Sequence, residues 1–204
     1  CAQMPHGSDV RILVLAAGAS RRMQGRDKLL EPVEGMPLLR RQAMLAQGAA
    51  QGVLVTLPPD RPLRLAALRG LPVDTAILAD AAEGMAASIR HGARWAAGAS
   101  GLMILPADMP DLDAGDLARM QAQHDSTPEA ILRGAASDET PGHPVLFPAD
   151  LFPELAALSG DEGARSVLAR HRDRVQLVTL PGDHALTDLD TPEAWAAWRA
   201  AHQT

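Results

Sequence analysis

The sequence predicts an α/β fold in which a mostly parallel sheet carries helices on both faces. Strand-length apolar runs alternate with longer segments of helical period, which is typical of chains that build such sheets. The run GLMILP (101–106) is continuously apolar, as expected of a strand buried on both faces. Hydrophobic residues make up 47% of the 204 positions, enough for a substantial core. We therefore expect one domain over residues 11–204.

The alternation is regular over the first 124 residues. We predict strands at 11–16, 52–57, 73–78 and 101–106, and helices at 38–49, 61–70, 84–98 and 112–124. Gly70 and Gly98 follow two of these helices as stop signals, and Asp113 is placed to cap the fourth. Successive strands joined by helices pair in parallel, so these segments form the centre of the predicted sheet.

The second half of the chain is less regular. We predict strands at 129–134 and 143–147, which could pair antiparallel around the loop SDETPG, and a strand at 174–180. Helices are expected at 149–158, at 161–171 and at 191–202, the last with Pro192 in its first turn. No repeat or long linker divides the sequence, so this half is expected to extend the same sheet.

Charge and composition exclude several classes of protein. A formal net charge of -6 argues against a broad nucleic-acid-binding face. The single cysteine, Cys1, excludes an internal disulfide and a cysteine-based zinc site. Residues 1–10 lack the apolar core of a signal peptide, and we expect them to be a disordered leader or the remnant of a tag. The sequence has no transmembrane-length apolar run, so we expect a cytoplasmic protein without membrane or nucleic-acid partners.

A cluster of cations follows the first predicted strand. The stretch LAAGASRRMQGRDKLL (15–30) contains Arg21, Arg22, Arg26 and Lys28 directly after three small residues. Ligands of open α/β sheets bind beyond the carboxyl ends of the strands. Small residues let backbone amides approach a ligand, and arginine and lysine neutralise phosphates. The stretch lacks GxxxxGK[ST] and GxGxxG, so it indicates either another kind of phosphate-binding loop or a solvated surface loop.

Two acidic segments are candidate metal sites. Asp108 ends the apolar run in ILPADMPDL (104–112), where it could bind Mg²⁺ or cap a helix. Asp188 and Asp190 bracket Leu189 in TDLDTPEAW (187–195), so both carboxylates would point to one side of an extended chain. Helix capping by Asp190 or Thr191 is the alternative, and it is compatible with metal binding.

At this point the sequence resembles a known family. LAAGASRRM…K is similar to the loop L-A-A-G-x-S-x-R-M-G-x-x-K of the MobA-like nucleotidyltransferases. EGMAASIRHG, PGHPVLF, SGDEGARSVL and TDLDTPEAW resemble further segments of that family in the same order. The resemblance implies a Rossmann-like three-layer α/β/α fold and the Mg²⁺-dependent transfer of a nucleoside monophosphate to a phosphorylated acceptor. One departure is that Gln24 replaces a glycine, so Gly25 comes one residue late before Lys28.

The resemblance also implies roles for individual residues. Arg22, Lys28 and Asp108 would be catalytic, with Arg22 and Lys28 on the triphosphate, and Asp108 and Asp190 would bind the metal, although Asp188 could be the second ligand instead. The nucleotide would contact Leu15, Ala16, Ala17, Gly18, Ser20, Lys28, Asp80, Gly84 and Ser88. The acceptor would contact Gly142, His143, Pro144, Arg165 and Asp188. Two alternatives remain open: Ser88 could bond back to a helix carbonyl, and Arg165 could be a surface residue in an ion pair.

The loop form Ala16-Ala17-Gly18 resembles the cytidylyl branch of the family. It implies CTP as the nucleotide and molybdopterin as the acceptor, with a molybdoenzyme or its chaperone as a further partner. Guanylyl or uridylyl transfer to molybdopterin or to a sugar phosphate is the alternative. A non-catalytic molybdenum-cofactor chaperone and a redox enzyme on the same scaffold are hypotheses from other classes.

Overall fold

A computed structural model of the chain describes residues 9–160 and 163–202. Residues 1–8 of the predicted leader and residues 161–162 of a predicted helix lie outside this part. The strands are β1 (Val10–Leu15), β2 (Pro32–Val33), β3 (Met36–Pro37), β4 (Val53–Leu57), β5 (Asp74–Ile77), β6 (Gly101–Pro106), β7 (Ile131–Ala135), β8 (Pro141–Pro148) and β9 (Val175–Thr179). The helices are α1 (Leu38–Ala49), α2 (Pro62–Ala67), α3 (Met85–Trp95), α4 (Ala114–Ser126), α5 (Phe152–Ala156), α6 (Arg165–Arg170) and α7 (Pro192–His202).

One sheet of seven strands forms the centre of the molecule, in the order β5-β4-β1-β6-β8-β7-β9. β1 lies between β4 and β6 and is parallel to both, and β4 is parallel to β5. β8 is antiparallel to β6 and β7, and β9 is parallel to β7. The predictions of a mostly parallel sheet and of an antiparallel pair near residues 129–147 are therefore confirmed.

Helices cover both faces of the sheet because successive residues of each central strand point to opposite sides. Ile12 and Val14 of β1 belong to one buried cluster with residues of α1, α4 and α7. Leu13 belongs to the other cluster, with residues of α3, α5 and α6. Gly92 lets α3 approach β1 closely, since a Cβ there would lie 2.5 Å from a Leu13 methyl carbon. The three-layer arrangement is therefore confirmed.

Several boundaries differ from the predicted ones. β1 begins at Val10, which is buried, so the predicted leader ends earlier than residue 10. α3 starts after Gly84, whose φ of 87° interrupts helical geometry, and its C-terminal cap is Ala96. The predicted helix 149–158 begins as a short 3₁₀ turn, and only Phe152–Ala156 is α-helical. The sequence predictions overestimated helix length because they followed apolar periodicity past these backbone breaks.

The hairpin formed by β2 and β3 was not predicted. Its two strands of two residues each are joined by Glu34 and Gly35, with φ values of 50° and 83°. Two successive residues with positive φ make the kind of tight turn that suits a hairpin. Within the described residues, no helix is long and apolar enough to cross a membrane.

Candidate active site

The loop after β1 and the carboxyl ends of neighbouring strands enclose a cavity of about 640 Å³. Its lining comes from the loop, from the segments that follow β4 and β5, and from the segment before α7: Ala17, Gly18, Ala19, Ser20, Arg21, Arg22, Lys28, Pro58, Pro59, Asp60, Ala79, Ala81, Ala82, Gly84 and Asp190. A smaller cavity of about 210 Å³ shares Ala17, Gly18 and Lys28 with it and reaches Leu15, Ser88 and Asp108. The fold thus brings residues from distant parts of the sequence to one edge of the sheet.

The cavity wall formed by the loop offers hydrogen-bond donors. Within the described residues, the backbone N–H groups of 17–22 donate to no other group of the chain. Ala16 is the last residue of the loop held by the sheet, since its N–H donates to the Thr56 carbonyl at 3.1 Å. Consecutive free amides form an anion-binding concavity. Arg21 and Arg22 add positive charge, so this wall is suited to a phosphate chain.

The Ser20 side chain does not face this cavity as a free group. Its hydroxyl accepts a hydrogen bond from Arg64 at 2.9 Å and donates one to Asp27 at 3.3 Å. Ser20 has a φ of 52°, in the left-handed region, which turns the chain into the 3₁₀ turn Arg21–Met23. Ser20 lines the larger cavity and its predicted contact with the nucleotide stays a prediction, while its side chain holds the loop in shape.

A cluster of carboxylates adjoins the loop. The side chains of Asp108, Asp188 and Asp190 each bring an oxygen within 4.8 Å of the others. The Leu189 N–H donates to the Asp108 carbonyl at 3.1 Å, which fixes the two acidic segments against each other. Proximity of these three residues, predicted from sequence, is therefore present in the structure.

Lys28 lies within this cluster. Its Nζ is 2.6 Å from Asp108 Oδ2 and also hydrogen-bonds Asp190 Oδ1. Burial acts to lower the pKa of Lys28, but Asp108 and Asp190 outweigh it and the pKa lies above its usual value. The lysine is thus charged. Arg22 approaches the other oxygen of Asp190 at 3.6 Å from a largely solvent-exposed position.

The pKa values of two carboxylates in the cluster are shifted in opposite directions. Burial, reinforced by the charges of Asp190 and Asp108, raises the pKa of Asp188. Burial also acts on Asp190, but the hydrogen bond and charge of Lys28 outweigh it and lower the pKa of that carboxyl. Three converging carboxylates are the donor set of a hard divalent cation. The Lys28 ammonium is a stand-in cation among them, so the residues present fit a divalent metal.

The residues around α3 differ in whether they line the two cavities. Gly84 lines both cavities with a φ of 87°, and Ser88 is buried against the smaller one. The Ser88 hydroxyl donates to no described carbonyl, unlike Ser126, which bonds back to Ala122. Asp80 instead forms an ion pair with Arg90, whose hydrogen bond lowers the pKa of Asp80. Asp80 is not among the residues that line the two cavities, and its predicted contact with the nucleotide stays a prediction.

Among the predicted acceptor residues, Gly142 and Pro144 are buried parts of the fold, whereas His143 has a polar side chain. Gly142 is required by packing, since a Cβ there would lie 1.9 Å from the Ala185 carbonyl oxygen. Pro144 is buried and follows His143 through a cis peptide bond. The Nδ1 atom of His143 is buried without a hydrogen-bond partner among the described residues. Burial and the charge of Arg133 lower the pKa of His143, so its imidazole is neutral at pH 7.

Arg133 was missed from sequence, although a charged residue inside the apolar run ILRGA was a usable signal. Its Nε donates to the Gly142 carbonyl at 3.1 Å. Burial and the neighbouring charge of Arg165 lower the pKa of Arg133. Arg165 itself is exposed at the start of α6 and forms no ion pair within the described residues. The surface ion pair considered for Arg165 is thus not observed, and the two guanidinium groups make a cationic region beside His143.

A cradle of free amides beside a carboxylate cluster, at the carboxyl ends of parallel strands, defines a site for nucleotide phosphate chemistry. The chain belongs to the MobA-like NTP transferase domain family, whose model matches residues 12–175. It is therefore a nucleotidyltransferase, and the family predicted from the sequence is confirmed.

Individual relatives and solved structures match nearly the whole chain. The chain is 32% identical over 199 residues to the purine catabolism protein PucB of Bacillus subtilis, covering 92% of this chain and 94% of PucB. It is 32% identical over 189 residues to the molybdenum cofactor guanylyltransferase of Xanthomonas euvesicatoria, covering 90% and 91%. A crystal structure of Rv0371c from Mycobacterium tuberculosis superimposes with a TM-score of 0.79 at 28% identity, covering 94% and 98%. Rv0371c has also been crystallised with manganese, and that structure superimposes with a TM-score of 0.75 at 25% identity.

Proposed function

We propose that this nucleotidyltransferase moves GMP from GTP to the phosphate of molybdopterin, a step of molybdenum cofactor synthesis. The observation that carries the proposal is the juxtaposition of the free amides of 17–22 with the cluster of Lys28, Asp108 and Asp190. The relative from Xanthomonas euvesicatoria, which matches nearly full length, is named for guanylyl transfer to the molybdenum cofactor.

Asp60 supports a guanine base. It lines the larger cavity, is exposed, and forms no ion pair with another described residue. A carboxylate can accept two parallel hydrogen bonds, and guanine offers N1–H and the N2 amino group side by side. Cytosine offers a single amino group there, next to a ring acceptor.

Cytidylyl transfer from CTP is the second candidate. Ala17 favours it, because guanylyl members of the family tend to carry glycine at this position of the loop. Ala17 lines both cavities, and its methyl group would narrow a nucleotide site there. The two candidates differ in the base alone, and the triphosphate chemistry is the same for both.

The triphosphate lies on the loop in this proposal. The free backbone N–H groups of 17–22 donate hydrogen bonds to the phosphate oxygens, and Arg22 supplies charge from the rim. Lys28 leaves Asp108 and Asp190 for the triphosphate, exchanging two carboxylates for phosphate oxygens. Gly84 and Ser88, which line the smaller cavity, would contact the sugar or the base.

The acceptor phosphate approaches from the side of β7 and β8. Arg133 and Arg165 provide two positive charges with no ion-pair partner within the described residues, and such a pair favours an anion. The neutral imidazole of His143, with its unpartnered Nδ1, is available to hydrogen-bond the acceptor. Gly142 contributes its backbone, through the carbonyl that orients Arg133.

The reaction needs little covalent help from the protein. An acceptor phosphate oxygen forms a bond to the α-phosphorus while the bond from that phosphorus to the bridging oxygen breaks, and pyrophosphate leaves. The acceptor phosphate is already ionised at neutral pH, so no general base is required. Positioning and charge neutralisation then supply the catalysis, with Arg22, Lys28 and the loop amides on the leaving group. A divalent cation, for which we propose Mg²⁺ held by Asp108 and Asp190 with Asp188 beside them, would neutralise phosphate charge when bound.

A screen of nucleoside triphosphates with Mg²⁺ and molybdopterin tests the proposal, with pyrophosphate release as the readout. We expect the highest kcat/KM for GTP. Asp60→Asn should lower kcat/KM for GTP by about tenfold, because the amide offers only one of the two acceptor oxygens of the carboxylate. The same variant should change kcat/KM for CTP much less. A preference for CTP in the wild type would replace GTP by the second candidate. No acceptor-dependent pyrophosphate with any nucleotide would refute nucleotidyl transfer to molybdopterin.

A further inference from the structure

Arg64 of α2 is wholly buried. It hydrogen-bonds the proposed phosphate-binding loop, which follows β1, from the side of α2. One terminal nitrogen donates to the carbonyls of Ala16 and Gly18, each at 2.6 Å. The other terminal nitrogen donates to Ser20 Oγ at 2.9 Å and to Asp27 at 2.9 Å, and Nε donates to Asp27 at 2.7 Å. Arg64 therefore contacts the loop near both of its ends.

Burying a guanidinium costs free energy unless its N–H groups are hydrogen-bonded, because the group loses its hydration. Here a bidentate carboxylate and three further acceptors satisfy it, which is the arrangement that suits arginine and not lysine. Burial acts against the charge of Asp27, but the hydrogen bond and charge of Arg64 outweigh it and lower the pKa of Asp27. The Asp27 carboxyl is thus ionised at neutral pH.

The direction of these hydrogen bonds determines what the loop presents to the cavity. The carbonyls of Ala16 and Gly18 are turned towards Arg64, and the carbonyl of Ala19 is held at 2.8 Å by Arg61, also from the α2 side. The backbone N–H groups of 17–22 are left without partners within the described residues. An anionic ligand in the cavity therefore meets these donors and not the carbonyl oxygens of Ala16, Gly18 and Ala19.

Asp27 also fixes the backbone of the turn that contains Lys28. Its Oδ1 accepts the Leu29 N–H at 3.0 Å and so caps the 3₁₀ turn Lys28–Leu30. The ion pair with Arg64 fixes the carboxylate that makes this cap. Arg64 and Asp27 together therefore hold the two halves of the loop, the amides at its start and the lysine at its end, in one arrangement.

We propose that the Arg64–Asp27 pair is a positioning device that keeps the loop donors aimed at the nucleotide triphosphate. The inference rests on the proposed function, since it requires a triphosphate in the larger cavity. Neither residue touches the ligand. Both act through the loop backbone, so their loss weakens the contacts to the β- and γ-phosphates more than those to the base and sugar.

The ratio of the affinities for a triphosphate and the corresponding monophosphate tests the proposal, because it separates triphosphate contacts from general stability. We would measure GTP and GMP, and CTP and CMP, by isothermal titration calorimetry in wild type, Arg64→Lys and Asp27→Asn. Arg64→Lys should reduce the ratio by about tenfold or more, since a point charge cannot hold four acceptors at once. Asp27→Asn keeps the shape of the side chain and should reduce the ratio by a smaller factor.

Arg40→Lys is the matched control. Arg40 also donates to two backbone carbonyls, those of Ala67 and Arg69, but lies away from the cavity lining. This control should lower the melting temperature and leave the affinity ratio unchanged. An unchanged ratio in both folded loop variants, or an equal fall in the control, would overturn the positioning role. A wild type that binds no triphosphate would instead overturn the proposed function and the inference with it.

Discussion

Replacing Lys28 by methionine is expected to strengthen divalent cation binding to the nucleotide-free protein. The Lys28 ammonium contacts Asp108 and Asp190 within the acidic cluster. A metal ion that enters the cluster must therefore displace a cation already there. Methionine keeps the length of the side chain and removes the competing charge. The same change removes a residue proposed to bind the triphosphate, so it is expected to weaken nucleotide binding.

The size of the effect follows from the spacing of the charges. The carboxylate oxygens lie within 4.8 Å of one another, and unit charges at that separation interact by about 3.5 kcal/mol at an effective dielectric constant of 20. Removing the ammonium, which lies 2.6 Å from Asp108, removes a repulsion of at most that order from an incoming cation. Partial exposure of the side chains reduces the gain, so we expect about 1.4 kcal/mol, which is about tenfold tighter binding.

Electron paramagnetic resonance titration with Mn²⁺ measures this affinity directly in the absence of nucleotide. Arg21→Met is the matched control, because Arg21 lines the same cavity and forms no ion pair within the described residues. Its Mn²⁺ affinity should change by less than about twofold, as expected for an exposed charge. Unchanged or weaker Mn²⁺ binding in Lys28→Met would refute the reasoning. An equal gain in Arg21→Met would show that only net charge matters.

Three further predictions concern packing, the acceptor and pH. Gly142→Ala should lower the free energy of unfolding by about 2–4 kcal/mol in urea titrations, since the new methyl group meets the Ala185 carbonyl, whereas Gly48→Ala, with open space in α1, should not destabilise. Arg133→Met should raise KM for the acceptor by about tenfold and leave KM for the nucleotide within about twofold in steady-state assays; a change in the nucleotide KM alone would contradict the assignment. His124 is wholly buried, and burial lowers its pKa despite the opposing charge of Asp125. As the pH falls through 6.5, the His124 imidazole takes up a proton in the unfolded chain before it does so in the folded one. The free energy of unfolding should therefore fall between pH 7.5 and 5.5 by up to about 1.4 kcal/mol per pH unit, with a smaller slope in His124→Leu. An equal slope in that variant would contradict the reasoning.

Much of the fold could be predicted from local patterns. α1 has the bounds that apolar periodicity gave, 38–49, and β6 has the predicted bounds 101–106. Those segments are continuous in pattern and end at residues that break it. The hairpin of β2 and β3 could not be predicted, because strands of two residues carry no periodicity and Glu34 adopts a positive φ that its type does not signal. The predicted helix 161–171 begins only at Arg165 in the described residues.

The candidate site was predicted less evenly. Asp108 and Asp190 lie together as the sequence predicted, whereas the hydrogen bonds of Lys28 to both carboxylates were not predicted. Gly142 was assigned to the acceptor, but its main constraint is the Ala185 backbone, a contact 43 residues along the chain that spacing cannot reveal. Arg64 was missed because one arginine in a short helix looks like any solvated residue. Its importance arises only when α2 packs behind the loop.

The fate of a radiolabel on the α-phosphate tests the central claim most directly. In the presence of molybdopterin and Mg²⁺, we expect the wild type to transfer the label to the acceptor with one pyrophosphate released for each transfer. Asp108→Asn should slow the transfer by about a thousandfold, because a central carboxylate of the cluster loses its charge. Label that stays in the triphosphate, or that appears as free monophosphate whether or not the acceptor is present, would contradict the account.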